Sequence, residues 1–281
     1  MNIQMNDRKR KATNKGILAL LLILLLTIPA YLCYKTFIKD KLPLEQELIE
    51  EEIAEEEIEE EIVEEEVVGD PYQEIFEKIE GQQAYIVVPT KIDEENPPTV
   101  ILYSHGSNTN VTENMEDQFM KDLQAYGILF TKYNYIFAAS NQHDVNWGNS
   151  ASIQDTLNLK NWIEERYSIQ PKVYLLGFSM GGLPTMNFAT TYPELISKIA
   201  LLAPTTKSSS WDENKVAKIM DIDIKIWHGN KDVNVPYTYT YNFVKKVDGL
   251  GKEIELITLE GKGHFDIDTE YMEDILEFFN R

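Results

Sequence analysis

The sequence holds a single cysteine, Cys33, and only four histidines among 281 residues. One cysteine excludes an intrachain disulfide and a cysteine-built metal site, so the fold must be held by packing. Basic residues are scarce too: 26 Lys and Arg stand against 47 Asp and Glu, a formal charge of −21. Such a chain repels a phosphate backbone unless it carries a concentrated basic patch, and no nucleic-acid partner is expected. Charge is absent altogether from one stretch, Gly16 to Tyr34 (GILALLLILLLTIPAYLCY). A helix of that length spans roughly 28 Å at ~1.5 Å per residue, near the thickness of a bilayer's hydrocarbon core.

What surrounds that stretch gives it an orientation. Arg8, Lys9, Arg10, Lys11 and Lys15 precede it, and only Lys35, Lys39 and Lys41 follow closely. The positive-inside bias then leaves residues 1–15 as a basic cytoplasmic tail, makes 16–34 an uncleaved anchor and puts the rest outside the membrane. A cleaved signal peptide is the rival reading, with Pro29-Ala30 as a weak cleavage site, but the apolar run exceeds the usual ~7–15-residue core. Cys33 follows Leu32, where a lipoprotein signal has a small residue, and reads as an unmodified membrane-edge cysteine. Residues 35–69 contain EQELIEEEIAEEEIEEEIVEEEVV, where isoleucines recur at spacings of four and five among 14 glutamates. That period fits neither a heptad nor a globular helix face, and the glutamates repel one another, so an acidic spacer is expected.

From Asp70 on, 31 acidic and 18 basic residues remain over about 210 positions, a common size for one domain. Two strand-like stretches, Tyr72–Ile79 and Gln83–Pro89, flank a turn at Glu80-Gly81-Gln82. Short apolar runs of the buried parallel type follow at Thr99–Ser104, Tyr133–Ala139, Lys172–Leu176, Lys198–Leu202, Ile222–Trp227 and Ile254–Leu259. Helical segments fall between them, most clearly Ser152–Tyr167, and Asp274–Phe279 closes the chain. Strand, helix and strand repeated five times predicts an α/β domain over 70–281, with a mostly parallel central sheet flanked by helices on both faces.

One junction in that pattern carries chemistry. Val173-Tyr174-Leu175-Leu176-Gly177-Phe178-Ser179-Met180-Gly181-Gly182 ends a buried strand and opens a helix, so Ser179 sits in the sharp turn that a nucleophile elbow requires. A serine at its ordinary pKa needs a base, and the base needs an orienting acid. His264, in the GKGHF loop after the last strand, is the expected base. Asp232, in HGNKDVNVP after the penultimate strand, is the expected acid. His105 and His228 follow strands directly and read as structural, while His143 beside Asp144 is a weak candidate for a metal or substrate contact. Ser179, Asp232 and His264 occur in the order that suits this architecture.

Four motifs, SHGSN at 104–108, GFSMGG, HGNKDVNVP and GKGHF, together resemble the α/β-hydrolase family over roughly residues 85–281. The resemblance implies the α/β-hydrolase fold, with an oxyanion hole made by the backbone N–H groups of Ser107 and Met180, and no metal or organic cofactor. It implies a serine esterase that forms an acyl-enzyme, most plainly a carboxylesterase acting on a small-molecule or polymer-linked acyl ester. Peptidase and acyltransferase activity on the same triad, or a surface-tethered binding module without activity, are the alternatives. The segment between Pro204 and Asp221 is short where many members insert a helical cap, so an open site is expected. Trp147 and Trp211 are candidates for an aromatic wall.

Overall fold

Alternation of apolar side chains along each strand sends half of them to either face of one sheet, and that is how the domain acquires its two cores. The computed structural model describes residues 70–281, so the expected anchor (16–34) and acidic spacer (35–69) lie outside the described residues. Among the described residues no helix is long and apolar enough to cross a membrane. The strands are β1 (Tyr72–Ile79), β2 (Gln82–Pro89), β3 (Thr99–Ser104), β4 (Tyr135–Ser140), β5 (Val173–Phe178), β6 (Ile196–Leu202), β7 (Asp223–Gly229) and β8 (Glu255–Leu259). They form one sheet in the order β1-β2-β4-β3-β5-β6-β7-β8. Pairing is antiparallel between β1 and β2 and between β2 and β4, and parallel everywhere else.

Five helices make the five crossovers: α1 (Gln118–Thr131), α2 (Ser150–Glu164), α3 (Gly182–Thr191), α4 (Glu213–Lys218) and α5 (Tyr237–Asp248). The terminal α6 (Met272–Asn280) follows β8. Ala84, Ile86, Val100, Leu102, Val173 and Leu175 point to one face, where Leu159 and Ile163 of α2, Phe188 of α3, Val216 of α4 and Phe243 of α5 cover them. Tyr85, Ile101, Tyr103, Phe137 and Leu176 point to the other, under Leu123, Tyr126 and Phe130 of α1 and Ile275 and Phe279 of α6. The second core is rich in rings: Tyr126 stacks on Phe130 and on Phe137 at centroid separations of 5.8 and 5.7 Å. Offset aromatic pairs of this kind add to burial, so truncating such a ring is costly.

Element boundaries depart from the sequence expectation where turn chemistry intervenes. Register across β1 and β2 runs from Tyr72↔Pro89 to Ile79↔Gln82, so the hairpin turns on Glu80 and Gly81 alone and Gln82 belongs to the strand. Asn134, at φ +63°, closes the exit from α1, so β4 starts at Tyr135 rather than Tyr133. Asn149 accepts the Ser152 N–H and caps α2, which therefore starts at Ser150.

Strand order fixes where a site can form. The chain moves from β3 outward to β4, then crosses back over β3 to place β5 on its other side. The loops leaving the carboxyl ends of β3 and β5 diverge there and leave a crevice, the usual position of ligand sites in open α/β sheets.

Candidate active site

Ser179 is the first residue beyond β5 and opens a single 3₁₀ turn, Ser179–Gly181, that runs into α3. Its φ of +54° is in the left-handed region, a strained conformation for a residue with a side chain. Neighbouring backbone enforces the turn: a Cβ on Gly181 would lie 2.0 Å from the Ser104 carbonyl oxygen at the end of β3. The Ser179 carbonyl accepts the Thr205 N–H at 2.7 Å, which ties the elbow to the loop after β6.

His264 arrives from the loop after β8, with Nε2 2.8 Å from Ser179 Oγ and Nδ1 2.7 Å from Asp232 Oδ2. An ionised carboxylate only accepts, so Nδ1 carries the proton and Nε2 is left to accept from the serine hydroxyl. Asp232 Oδ1 accepts the N–H groups of Asn234 and Val235 at 2.9 and 2.8 Å. Its Oδ2 also lies 3.1 Å from His228 Nε2. The loops carrying Asp232 and His264 are clasped together: Lys231 N–H donates to the Lys262 carbonyl at 2.9 Å. This is why residue 229 has no side chain, because a Cβ there would sit 2.2 Å from the same carbonyl oxygen. Ser179, Asp232 and His264 are each at most 8% exposed.

Ser179 and His264 face a cavity of about 280 Å³ whose wall includes Ser107, Trp147, Tyr239 and Phe265. Ser107 follows β3 and lines the cavity directly, while Met180 is buried in the first turn beyond Ser179. Backbone N–H groups in a first helical turn have no intrahelical acceptor and are free to meet a developing negative charge. Phe178 and Phe265 flank the His264 ring at centroid distances of 5.1 and 5.0 Å. A second cleft of about 470 Å³ adjoins the first across Phe178 and Phe265 and is lined by acids including Asp122 and Asp268. Burial and the neighbouring Asp122 push the Asp268 carboxyl up to about 7.

The other residues singled out from the sequence separate clearly. Trp147 lines the cavity and is 56% exposed, but Trp211 is buried edge-on against Phe243 at 5.2 Å and belongs to the core. His105 is buried, its ring nitrogens 2.7 and 2.8 Å from the carbonyls of Gly106 and Asn141. His143 pairs with Asp155 at 2.5 Å outside the residues lining the cavity. His228 is fully buried and in contact with Asp232, which the sequence reading did not foresee; four positions separate the two in HGNKD, and that spacing in a tight loop was the available signal. Among the described residues no group of three or more His, Cys, Asp and Glu is arranged to hold a metal ion.

The sequence pattern of the phospholipase/carboxylesterase family matches residues 86–281. The chain belongs to that family of α/β-hydrolases. Among curated proteins this hydrolase is similar to homoserine O-acetyltransferase of Corynebacterium glutamicum, at 29% identity over 132 residues, 44% of this chain and 33% of the relative. The matched segment thus spans about a third of that relative's length. Among solved structures it resembles a thermostable esterase, with a TM-score of 0.55 and 17% identity over 75% of this chain and 63% of the other. It also resembles the acylaminoacyl peptidase of Pyrococcus horikoshii, with a TM-score of 0.57 and 13% identity over 75% of this chain and 41% of the other. At those identities the structural likeness establishes the fold alone.

Proposed function

We propose that this hydrolase is a serine carboxylesterase in which Ser179 is the nucleophile, His264 the general base and acid, and Asp232 the residue that orients His264. The observation carrying this reading is the unbroken hydrogen-bond chain from Asp232 Oδ2 through His264 Nδ1 and Nε2 to Ser179 Oγ, at 2.7 and 2.8 Å, opening on the cavity. Ser179 Oγ attacks the ester carbonyl as His264 Nε2 takes its proton. The backbone N–H groups of Ser107 and Met180 receive the oxyanion. Collapse of the tetrahedral intermediate breaks the acyl–oxygen bond, and His264 returns the proton to the leaving alcohol. Water then attacks the acyl-enzyme by the same route and regenerates the serine.

A short-chain aryl ester tests the reading. Wild-type protein is expected to hydrolyse it and Ser179→Ala to lose at least about four orders of magnitude of kcat; near wild-type turnover by that variant would overturn the assignment. A second reading, acyl transfer, is favoured by the similarity to an O-acetyltransferase, since the same acyl-enzyme delivered to an alcohol instead of water gives that reaction. Added homoserine that diverts the acyl group from acid to ester product would decide for it.

Two further parts of the proposal concern access and setting. Between β6 and β7 the chain forms only a 3₁₀ turn and the six-residue α4, so the substrate includes acyl groups on bulky or polymeric alcohols. A hundredfold preference for a small ester over the same acyl group on an oligosaccharide would oppose this. Residues 16–34 anchor the enzyme with the domain outside the membrane, on the strength of the uncharged run and the basic residues ahead of it. Protease added to spheroplasts is then expected to release the domain, and protection would reverse the orientation.

A further inference from the structure

His228 makes three hydrogen bonds. Its Nε2 lies 2.9 Å from the Val235 carbonyl oxygen and 3.1 Å from Asp232 Oδ2, and its Nδ1 lies 2.9 Å from Thr240 Oγ1 on α5. Both groups facing Nε2 are pure acceptors, so Nε2 must carry a hydrogen. Burial lowers the pKa of the ring and keeps it neutral, despite the opposing attraction of Asp232. A neutral ring protonated at Nε2 has a bare Nδ1, which needs a donor, and the Thr240 hydroxyl supplies it. Thr240 has a second acceptor, the Pro204 carbonyl, at a longer 3.3 Å. The charged and titratable groups around the ring are Asp232 in its own loop, His264 across the carboxylate, and Tyr237 of α5, whose ring meets it edge-on at 5.7 Å.

Asp232 therefore has four donors for its two oxygens: two backbone N–H groups on Oδ1, and the two histidine rings on Oδ2. The backbone pair fixes one oxygen along the loop. Without a second donor, Oδ2 could swing with the side-chain torsion and carry His264 with it.

We propose that His228 is a positioning residue for the acid: its Nε2–H, set by the Thr240 hydroxyl, shares Oδ2 of Asp232 with His264 and fixes the line along which that carboxylate holds the base. This rests on the reading of Ser179, His264 and Asp232 as the triad. Two consequences separate it from simple core packing. Loss of the donor loosens His264 during proton transfer, which lowers kcat while leaving substrate binding alone. It also concentrates negative charge on Oδ2, which favours the protonated form of His264 and moves the acid limb of the kcat/KM profile to higher pH.

The test uses the folded enzyme and three variants. His228→Met, a non-donor of similar bulk, is expected to lose about 10–100-fold in kcat, with KM within about twofold and the acid limb raised by about half a pH unit. His228→Gln retains an N–H near the Nε2 position and is expected to recover most of the loss. Thr240→Val, nearly isosteric, removes the hydroxyl without opening a hole and is expected to fall between the two, which keeps the proposal testable should His228→Met fail to fold. Nitrogen-15 NMR of the wild type gives a reading independent of activity: His228 is expected to carry its proton on Nε2, with Nδ1 bare, from pH 6 to 9. A proton on Nδ1, an unmoved acid limb, or equal losses in the Met and Gln variants would overturn the proposal. Ester hydrolysis that survives in Ser179→Ala would instead overturn the triad, and that result is read before His228 is changed.

Discussion

Among the described residues three histidine–aspartate pairs occur, two of them sharing Asp232; the pair of His264 with Asp232 adjoins the Ser179 hydroxyl, and the pair of His143 with Asp155 adjoins none. His264 and Asp232 meet at 2.7 Å with both side chains buried, and His143 and Asp155 meet at 2.5 Å with the His143 side chain 50% exposed. The pairs are chemically identical. What separates them is the second ring nitrogen and the backbone beneath. His264 Nε2 meets Ser179 Oγ, held at a strained φ by the junction of β5 and α3, whereas among the described residues His143 makes no hydrogen bond to a hydroxyl. A His–Asp pair can transfer a proton to a substrate when the fold brings a third group to the far nitrogen; without that group it is a hydrogen bond with nowhere to pass the proton.

That contrast breaks or sharpens under substitution. The largest effect is expected from His264→Ala, which removes the proposed base and should cut ester hydrolysis by about four orders of magnitude or more with the thermal transition preserved. Asp232→Asn comes next. Turning the orienting acceptor into an amide disturbs the tautomer of His264 and should cost on the order of 10³–10⁴ in kcat. The same change at Asp212, which caps α4 by accepting the Lys215 N–H at 2.9 Å, should leave stability and turnover nearly unchanged, because Asn caps a helix about as well as Asp. A severe Asp212 variant beside a mild Asp232 variant would move the acid to the preceding loop.

A third aspartate extends the comparison to a carboxylate with poor company. Asp268 accepts from Tyr126 at 3.2 Å, and burial together with Asp122 raises it to about 7. Its folded value lies above its unfolded one, so the folded protein holds a proton that the unfolded chain releases between pH ~4 and ~7, and stability falls as pH rises through that window. Asp268→Asn should therefore be more stable than wild type at pH 8, by about 1–2 kcal/mol, with the gap closing below pH 4. Thermal melts at the two pH values measure it; an equal gap at both would remove the titration from the explanation. The smallest effect at a histidine–aspartate pair is expected at His143, whose ring is half exposed over the buried Asp155: His143→Gln keeps a donor for that carboxylate and should hold activity within about twofold and change stability by about 1 kcal/mol or less.

The positions of the residues in the proposed triad were legible because each lies where the alternation of elements places it: Ser179 between a strand and a helix, Asp232 and His264 in the loops after the last two strands. The sheet was legible for a similar reason, since its parallel strands are continuous apolar runs. Other features were not readable from local pattern. Trp147 and Trp211 both lie in loops after strands, and only the packing of Phe243 against one of them distinguishes core from cavity wall. Helix α5 begins YTYTY, a composition suited to a strand, yet it winds because Thr240, Phe243 and Val247 then share one buried face. His228 was read as structural from its position at a strand end; its contact with Asp232 depends on a tight loop after Gly229, which spacing alone does not specify.

Mass spectrometry of the protein treated with a fluorophosphonate tests the central claim most directly, because the reagent reacts with a serine hydroxyl only where a base has activated it. The arrangement predicts one adduct per molecule, on the peptide containing Ser179, which disappears in both Ser179→Ala and His264→Ala and persists in His143→Gln. An adduct on a different residue, or labelling of Ser179 that survives the loss of His264, would contradict it.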